Sequence, residues 1–267
     1  MSELPTFRRG GIHPRDSKEL TADLPIEAMP PPDEVDIPLL QHTGSACEPL
    51  FNKKAQVTEG DLIGTVAKGL GASIHATISG TVKDIGVSSH PVLLQVPSMT
   101  IAGDKSALAK TYSPAAWERL TPEELLGKIK DAGLVGMGGA GFPTHVKLTL
   151  PPGVSVDKLI LNGSECEPYL NCDNRLMIEY PNEIVEGARI ILKILGIGQC
   201  HIGIENNKRE AIRVLTQAAK EGSSAKFRVH VNPLKAKYPQ GSEKQLIHSI
   251  TGRKVPAHGL PFDVGQS

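Results

Sequence analysis

A glycine-rich segment at residues 136–147, with the sequence GMGGAGFPTHVK, has the composition of a loop that binds a phosphate or a planar cofactor. Its four glycines are Gly136, Gly138, Gly139 and Gly141. Glycine permits positive φ angles and lets a ligand approach the backbone closely, and Lys147 can neutralise phosphate charge. The segment formally contains G-x-G-x-x-G, but it follows a predicted helix, and a Phe-Pro pair breaks the helix that should come next. We therefore predict cofactor binding without a Rossmann dinucleotide fingerprint. A purely structural glycine loop is the alternative.

A second polar segment, NGSECEP at residues 162–168, comes directly after an apolar run that predicts a buried strand. In open α/β sheets, ligands bind at the carboxyl ends of the strands. Asn162, Glu165 and Glu167 are therefore placed to hydrogen-bond the polar edge of a cofactor. The same residues suit an ordinary turn, and Glu167 could cap a helix, so the pattern alone leaves both interpretations open.

The elements that position these segments alternate between strand and helix. A capping box at residues 121–124 predicts the start of a helix that Gly133 can end. Strands are predicted at 159–161, 201–204 and 227–231, and helices at 183–195, 208–220 and 242–250. The first of these helices is expected to turn Ile184, Ala188, Ile191 and Leu195 inward. This alternation predicts a mostly parallel sheet covered by helices.

Residues 34–104 have a different pattern, with short runs rich in β-forming residues at 35–40, 77–82 and 92–96. Segments 57–64 and 74–82 resemble the paired hairpins of a biotinyl/lipoyl-type barrel-sandwich hybrid. Carrier domains of that type present a modifiable lysine, but the flanks of Lys68 do not match, so we predict a scaffold. Residues 1–33 are polar and proline-rich and predict an irregular arm that wraps a domain.

Composition excludes several functional classes. The 267 residues include 29 Lys and Arg and 29 Asp and Glu, so the zero net charge argues against a general nucleic-acid or anionic-membrane binder. The longest apolar run is too short to span a bilayer, which predicts no direct membrane insertion. The amino terminus lacks the features of a signal peptide, and the four cysteines show no C-x-x-C spacing. A cytoplasmic protein with reduced thiols is expected.

The two polar segments together resemble the flavin-binding core of the NADH-oxidising flavoprotein subunit of respiratory complex I. The segment FRRGGIHP at 7–14, with QHTG at 41–44 and CEP at 47–49, is more specifically similar to the RnfC family. RnfC proteins are peripheral subunits of the ion-translocating Rnf electron transport complexes. The resemblance covers essentially the whole chain.

The resemblance implies that the glycine loop holds FMN and that NADH stacks on it, with hydride passing between nicotinamide C4 and flavin N5. The loop glycines and Lys147 would contact the flavin phosphate and ribityl chain, and Asn162 and Glu165 the flavin or nicotinamide side. In YPQGSEK at 238–244, Glu243 would take the role of a glutamate near NADH. The expected cofactor-binding residues are Gly136, Gly138, Gly139, Gly141, Lys147, Asn162, Glu165, Glu167, Tyr238, Gly241 and Glu243.

This sequence departs from the complex I pattern at Met137, His145 and Ser242, which stand where that pattern has arginine, glycine and glutamate. These differences put the adenine contacts in doubt. His145 is as consistent with a solvated loop as with a ligand contact, and no His/Cys spacing supports zinc. Full-length family members continue into a region with two 4Fe-4S motifs, and this sequence has no such motif. We expect a fragment that ends before the 4Fe-4S region and holds no metal.

The expected fold is α/β, or α+β overall. It comprises an arm (1–33), an all-β barrel-sandwich hybrid (34–110) and a Rossmann-like α/β flavin-binding domain (111–267). The expected function is the FMN and NADH site of a complex that couples NADH/ferredoxin electron transfer to ion translocation. The resemblance implies membrane subunits and a ferredoxin-like subunit as partners, at the cytoplasmic face of the inner membrane. The alternatives are a soluble cobalamin-reductase-like flavoprotein and a non-catalytic docking module.

Overall fold

The structure is a computed structural model that describes residues 4–107, 111–113 and 115–267. The chain divides into two compact units. One, the β unit, comprises Ala28–Thr149, and the other, the α/β unit, comprises the residues up to Glu27 together with Leu150–Ser267. The boundary expected at residue 110 falls outside the described residues.

The β unit contains two antiparallel sheets. Its strands are β1 (Glu34–Pro38), β2 (Glu48–Pro49), β3 (Gln56–Val57), β4 (Leu62–Thr65), β5 (Ile74–His75), β6 (Gly80–His90) and β7 (Leu94–Gly103). The first sheet has the order β1-β7-β6-β3, and the second has the order β2-β4-β5. Both contribute to one core, in which Leu39, Ile63, Met99 and Ile101 are fully buried. The all-β prediction is confirmed, although the run at 77–82 reaches only the first residues of β6 and the run at 92–96 only the first residues of β7, which form one long hairpin.

Two α-helices complete the β unit, α1 (Pro122–Asp131) and α2 (Thr144–Lys147), after a 3₁₀ turn at Trp117–Arg119. The predicted capping box begins α1. The Thr121 hydroxyl accepts a hydrogen bond from the Glu124 N–H at 3.2 Å, and the Glu124 carboxylate accepts one from the Thr121 N–H at 2.7 Å. Gly133 follows at φ 66°, where a Cβ would lie 2.0 Å from the Ser73 carbonyl oxygen. This contact and the compact unit's limit at Thr149 associate residues 115–149 with the strands.

The α/β unit is built on three parallel strands, β8 (Leu159–Asn162), β9 (Gln199–Glu205) and β10 (Arg228–Leu234), in the order β10-β9-β8. Its helices are α3 (Cys172–Glu179), α4 (Pro181–Leu195), α5 (Arg209–Gly222) and α6 (Glu243–Thr251), with 3₁₀ turns at Lys18–Leu20 and Pro261–Val264. The predicted parallel α/β sheet is confirmed. Helix α3 was not predicted.

The core of this unit lies between the sheet and helices α3 to α5. On α4 the fully buried residues are Val185, Ala188 and Leu192. The stripe predicted from the sequence faces the core: Ala188 is buried, and Ile184, Ile191 and Leu195 are partly buried and pack against it. Gly203 of β9 faces α6, where a Cβ would lie 2.6 Å from Leu246 Cδ1.

The amino-terminal arm packs on the α/β unit. Phe7 is 3% exposed, and Ile12 exchanges two backbone hydrogen bonds of 2.9 Å with Tyr238. The Lys18 ammonium donates to the carbonyl oxygens of Glu167 and Leu170. Within the described residues, no helix is both long and apolar enough to cross a membrane.

Candidate functional site

The glycine loop is an exposed turn closed by a bridge between Val135 and Pro143. The Gly136 N–H donates to the Phe142 carbonyl oxygen at 2.9 Å. A Cβ added at Gly138 or Gly139 would meet nothing within 4 Å, so the backbone there is open to solvent. An unobstructed backbone is what a phosphate or a flavin needs in order to approach main-chain N–H groups.

Gly141 has a different role. Its φ is 62°, and a Cβ would lie 3.1 Å from the Gln41 carbonyl oxygen. The Thr43 N–H donates to the Gly141 carbonyl oxygen at 3.0 Å. Gly141 therefore packs against residues 41–43, unlike the open Gly138. Its role as a cofactor contact stays a prediction.

Lys147 and His145 lie on the single turn of α2, which Pro143 precedes. Lys147 is exposed, whereas His145 is half-buried. Two positions apart on a helix, the side chains are rotated by about 200° and point to different sides. Burial and the charge of Lys130 lower the pKa of His145. The structure therefore separates Lys147 from His145 within the same motif.

Asn162, at the carboxyl end of β8, connects to the segment that follows β10. Its side-chain amide donates to the Gly241 carbonyl oxygen at 2.8 Å and accepts from the Ser164 N–H at 3.2 Å. The Gly241 N–H in turn donates to Cys166 Sγ at 2.8 Å. The sequence placed Asn162 and Gly241 in separate motifs, and the structure brings the two residues into direct contact.

Glu165 is a buried helix cap. Its carboxylate accepts hydrogen bonds from the N–H groups of Asp173, at 2.7 Å, and Asn174, at 3.3 Å, which begin α3. The residue is 6% exposed, and burial raises the pKa of its carboxyl. The sequence offered Glu167 as a helix cap, and Glu165 has that role instead. Glu167 is exposed, and its carbonyl accepts from the Lys18 ammonium at 2.9 Å.

The remaining two candidates flank Gly241. Tyr238 is 37% exposed, and its backbone pairs with Ile12 of the arm. Glu243 is the exposed first residue of α6. Asn162, Tyr238, Gly241 and Glu243 thus border the carboxyl end of the parallel sheet, the edge at which open α/β sheets bind ligands.

A buried polar network lies beneath this edge, and sequence reasoning missed it. Lys208 is 5% exposed, and its ammonium donates to the Ser164 carbonyl oxygen at 2.7 Å and lies 3.7 Å from the Glu205 carboxylate. Burial lowers the pKa of Lys208, and the charge of Glu205 opposes that shift. The other Glu205 oxygen accepts from the Lys237 N–H at 3.2 Å. The network therefore ties together the segments that follow all three strands.

Cys166 belongs to the same network. Its thiol donates to the Glu205 carboxylate at 3.4 Å. Burial, reinforced by the Glu205 charge, raises the pKa of Cys166 to about 12, so the thiol stays protonated at neutral pH. All four cysteines of the chain are free thiols.

The expected residues fall in different compact units. The glycine loop and Lys147 belong to the β unit, and Asn162, Glu165, Glu167, Tyr238, Gly241 and Glu243 belong to the α/β unit. The first group lies between α1 and the end of α2, and the second group lies at the end of β8 and in the segments that follow β8 and β10.

Two family models match this chain. The model described as the Nuo51 FMN-binding domain covers residues 129–266, a range that includes every candidate residue above. The chain belongs to the Nuo51 FMN-binding family. The model described as the RnfC barrel sandwich hybrid domain covers residues 6–106, which confirms the predicted type of β domain and the resemblance to RnfC.

Named relatives give the same picture. The chain is 46% identical over 259 residues to a subunit of the proton-translocating ferredoxin:NAD(+) oxidoreductase complex of Clostridium ljungdahlii, covering 96% of this chain and 56% of the relative. It is 42% identical over 260 residues to a subunit of the ion-translocating oxidoreductase complex of Rhodobacter capsulatus, covering 96% of this chain and 50% of that protein. The chain thus spans about half the length of these relatives.

A solved structure also matches. An NAD⁺-reducing [NiFe]-hydrogenase in its H₂-reduced state is similar with a TM-score of 0.51 at 26% identity, covering 58% of this chain and 30% of the hydrogenase chain. The matched part of this chain therefore has a fold similar to that of a protein of solved structure.

The residues of this chain fit FMN, the cofactor that the family is named for. The open backbone at Gly138 and Gly139 leaves the space that a phosphate or flavin ring requires, and Lys147 supplies a cation close by in sequence. At the sheet edge, the hydrogen bonds that Asn162 and Gly241 make fix the segments that follow β8 and β10, which is the positioning that a bound flavin would need.

Proposed function

We propose that this chain supplies the FMN and NADH site of an ion-translocating ferredoxin:NAD oxidoreductase complex. The observation that carries the proposal is the open glycine loop of a Nuo51 FMN-binding domain joined to an RnfC barrel domain. The names of the relatives support the wider activity, since both describe one component of an ion-translocating or proton-translocating oxidoreductase complex.

In this proposal the glycine loop holds the phosphate end of FMN. Main-chain N–H groups of Gly138 and Gly139 donate to the phosphate or ribityl oxygens, and Lys147 adds a charge-assisted contact. Gly136 lies beside them and closes the loop through its N–H bond to the Phe142 carbonyl oxygen. Gly141 acts indirectly, because its left-handed conformation sets the path of the loop beside residues 41–43.

The edge of the α/β sheet serves the flavin or nicotinamide side. Asn162 and Gly241 hold the segments after β8 and β10 together, which fixes the polar groups that face a ligand. Tyr238 and Glu243 serve NADH, and Glu167 is the exposed carboxylate of the segment after β8. Glu165 positions that segment through its cap of α3. When bound, FMN supplies the hydride chemistry, and the protein's part is to orient the rings and shield them from water.

The wider assembly follows from the same proposal. The partners are the other subunits of the complex, including membrane subunits and a ferredoxin-like subunit, and the chain is peripheral at the cytoplasmic face of the inner membrane. In this proposal, any 4Fe-4S clusters of the complex subunit lie in the part of the relatives' length that this chain does not match.

Reduction of bound flavin by NADH tests the activity. The chain is saturated with FMN, made anaerobic and mixed with NADH, and flavin absorbance is followed. We expect bleaching of the bound flavin. FMN that binds but is not reduced, in this chain and in the full-length protein, would contradict the NADH assignment. Failure of the chain to bind added FMN would favour the docking-module alternative.

A further inference from the structure

A cavity of about 270 Å³ lies within the β unit, and none of the residues proposed above to bind FMN or NADH lines it. The end of β4 and the loop between β4 and β5 line it together with one residue of α1 and one of α2. The polar side chains that line it are Thr65, Lys68, Ser73, Lys130 and His145.

The lining is electropositive. Two lysines and a histidine contribute to it, and no aspartate or glutamate does. Neither Lys68 nor Lys130 forms a salt bridge with any residue that the structure describes. Two uncompensated ammonium groups around one concavity create a field that attracts anions.

His145 adds an unmet hydrogen bond. Its Nδ1 atom is buried and has no partner among the described residues. Burial lowers the pKa of this imidazole, and the nearby charge of Lys130 lowers it further. An anion in the cavity would offset the effect of the Lys130 charge.

The remaining chemistry suits a phosphate. The hydroxyls of Thr65 and Ser73 are neutral donors, and Gly69, at φ 94°, bends the loop so that its backbone lines the cavity. Pockets for drug-sized ligands occupy about 300–1,000 Å³. At 270 Å³ this cavity suits a phosphate with a small organic group better than a dinucleotide.

We propose that this cavity binds a small phosphate-bearing anion through Lys68, Lys130 and His145, at a site separate from the flavin. The separation rests on the geometry of α2. His145 lines the cavity, whereas Lys147, two positions further along the same helical turn, points about 200° away. The proposal also gives Lys68, the lysine that does not match a carrier domain, a role in ligand binding.

Titration of the whole chain with inorganic phosphate, at constant ionic strength, tests the proposal. Binding is followed through the histidine ring resonances by NMR, with glycerol 3-phosphate as a second probe. We expect a saturable shift of the His145 resonance with at least one probe, and a rise in the pKa of His145 when the probe is bound. Tighter binding of glycerol 3-phosphate would identify an organic phosphomonoester as the ligand class, and tighter binding of phosphate would identify the free ion.

Lys68→Gln and Lys130→Gln should each weaken binding about tenfold, which is the loss expected for one charge-assisted hydrogen bond. Lys128→Gln is the matched control, because Lys128 lies on the same helix and does not line the cavity. Equal weakening by Lys128→Gln and Lys130→Gln would show that both lysines act only through the overall surface charge, and it would overturn the proposed site.

Added FMN separates this site from the flavin site. We expect saturating FMN to leave the phosphate affinity unchanged. Competition between phosphate and FMN would overturn the proposal by assigning the cavity to the flavin phosphate. The absence of a saturable His145 shift with both probes would overturn it outright, whatever the chain does with FMN.

Discussion

Replacing Lys208 with methionine tests the buried network beneath the sheet edge. The substitution preserves most of the side chain's length but removes the ammonium that donates to the Ser164 carbonyl oxygen at 2.7 Å and lies 3.7 Å from the Glu205 carboxylate. Glu205, which is 3% exposed, would then keep its charge without its cation. Breaking one side of a buried ion pair costs about 3–5 kcal/mol.

The structure favours the lower end of that range. The ion pair is long, and Glu205 keeps two other donors, the Lys237 N–H at 3.2 Å and the Cys166 thiol at 3.4 Å. We therefore expect Lys208→Met to lower the free energy of unfolding by about 3 kcal/mol. Because Lys208 also holds the segment after β8, FMN affinity should fall with it.

The assay is equilibrium unfolding in urea, monitored by circular dichroism, with FMN affinity measured separately below the transition. Glu205→Gln with Lys208→Met completes a double-mutant cycle, in which the pair of changes should cost less than the sum of the two single changes. A loss of under 1 kcal/mol for Lys208→Met, or strict additivity in the cycle, would refute the claim that these two buried charges depend on each other.

Three further outcomes follow from individual contacts. Asp157→Asn should destabilise the α/β unit by about 1 kcal/mol at neutral pH, because Arg253 donates to Asp157 at 2.7 and 2.6 Å but the pair is partly exposed. Those hydrogen bonds lower the pKa of Asp157 in the folded chain. The stability advantage of the wild type over Asp157→Asn should therefore be complete above the unfolded pKa of about 3.9 and shrink as the pH falls below that value. A difference in urea midpoint between the two proteins that stays constant from pH 7 to pH 3 would contradict this. Glu165→Ala should cost about 1 kcal/mol in urea unfolding, because α3 loses its cap, and an unchanged midpoint would count against that role. Glu243→Ala should leave FMN affinity unchanged and slow anaerobic flavin reduction by NADH, whereas an unchanged reduction rate would remove the proposed nucleotide contact.

Local signals made part of the fold predictable from the sequence. The Thr121 capping box, Gly133 after the end of α1 and the strand–helix alternation after residue 158 each depend on residues close together in the chain, and the structure confirms them. Helix α3 has at its N-cap Asn171, a residue type that often caps helices, but the Asn171 side chain makes no cap. Its cap is Glu165, which precedes the helix, so only the folded chain reveals it.

The sequence predicted which segments form the candidate site, but it did not predict the role of each residue within them. Composition located the glycine loop, but only three-dimensional contacts distinguish Gly141, which packs against residues 41–43, from Gly138, which is open. Glu205 follows the strand predicted at 201–204, and Lys208 begins the helix predicted at 208–220, so nothing in the sequence indicated that either charged side chain is buried. Their burial depends on loops from all three strand ends, which periodicity does not encode.

The affinity of the chain for FMN, measured by quenching of flavin fluorescence, tests the central claim most directly. A Cβ added at Gly138 meets nothing within 4 Å. Gly138→Val should therefore fold normally and lose FMN, because the new side chain fills the space for the ligand. Gly127→Val is the matched control, since Gly127 is equally open but lies on α1. Lys147→Ala should weaken FMN binding by about 1.5–3 kcal/mol, and Lys128→Ala should not. The account predicts wild-type FMN affinity in both controls and a large loss in both loop variants. Wild-type affinity in Gly138→Val and Lys147→Ala would contradict it.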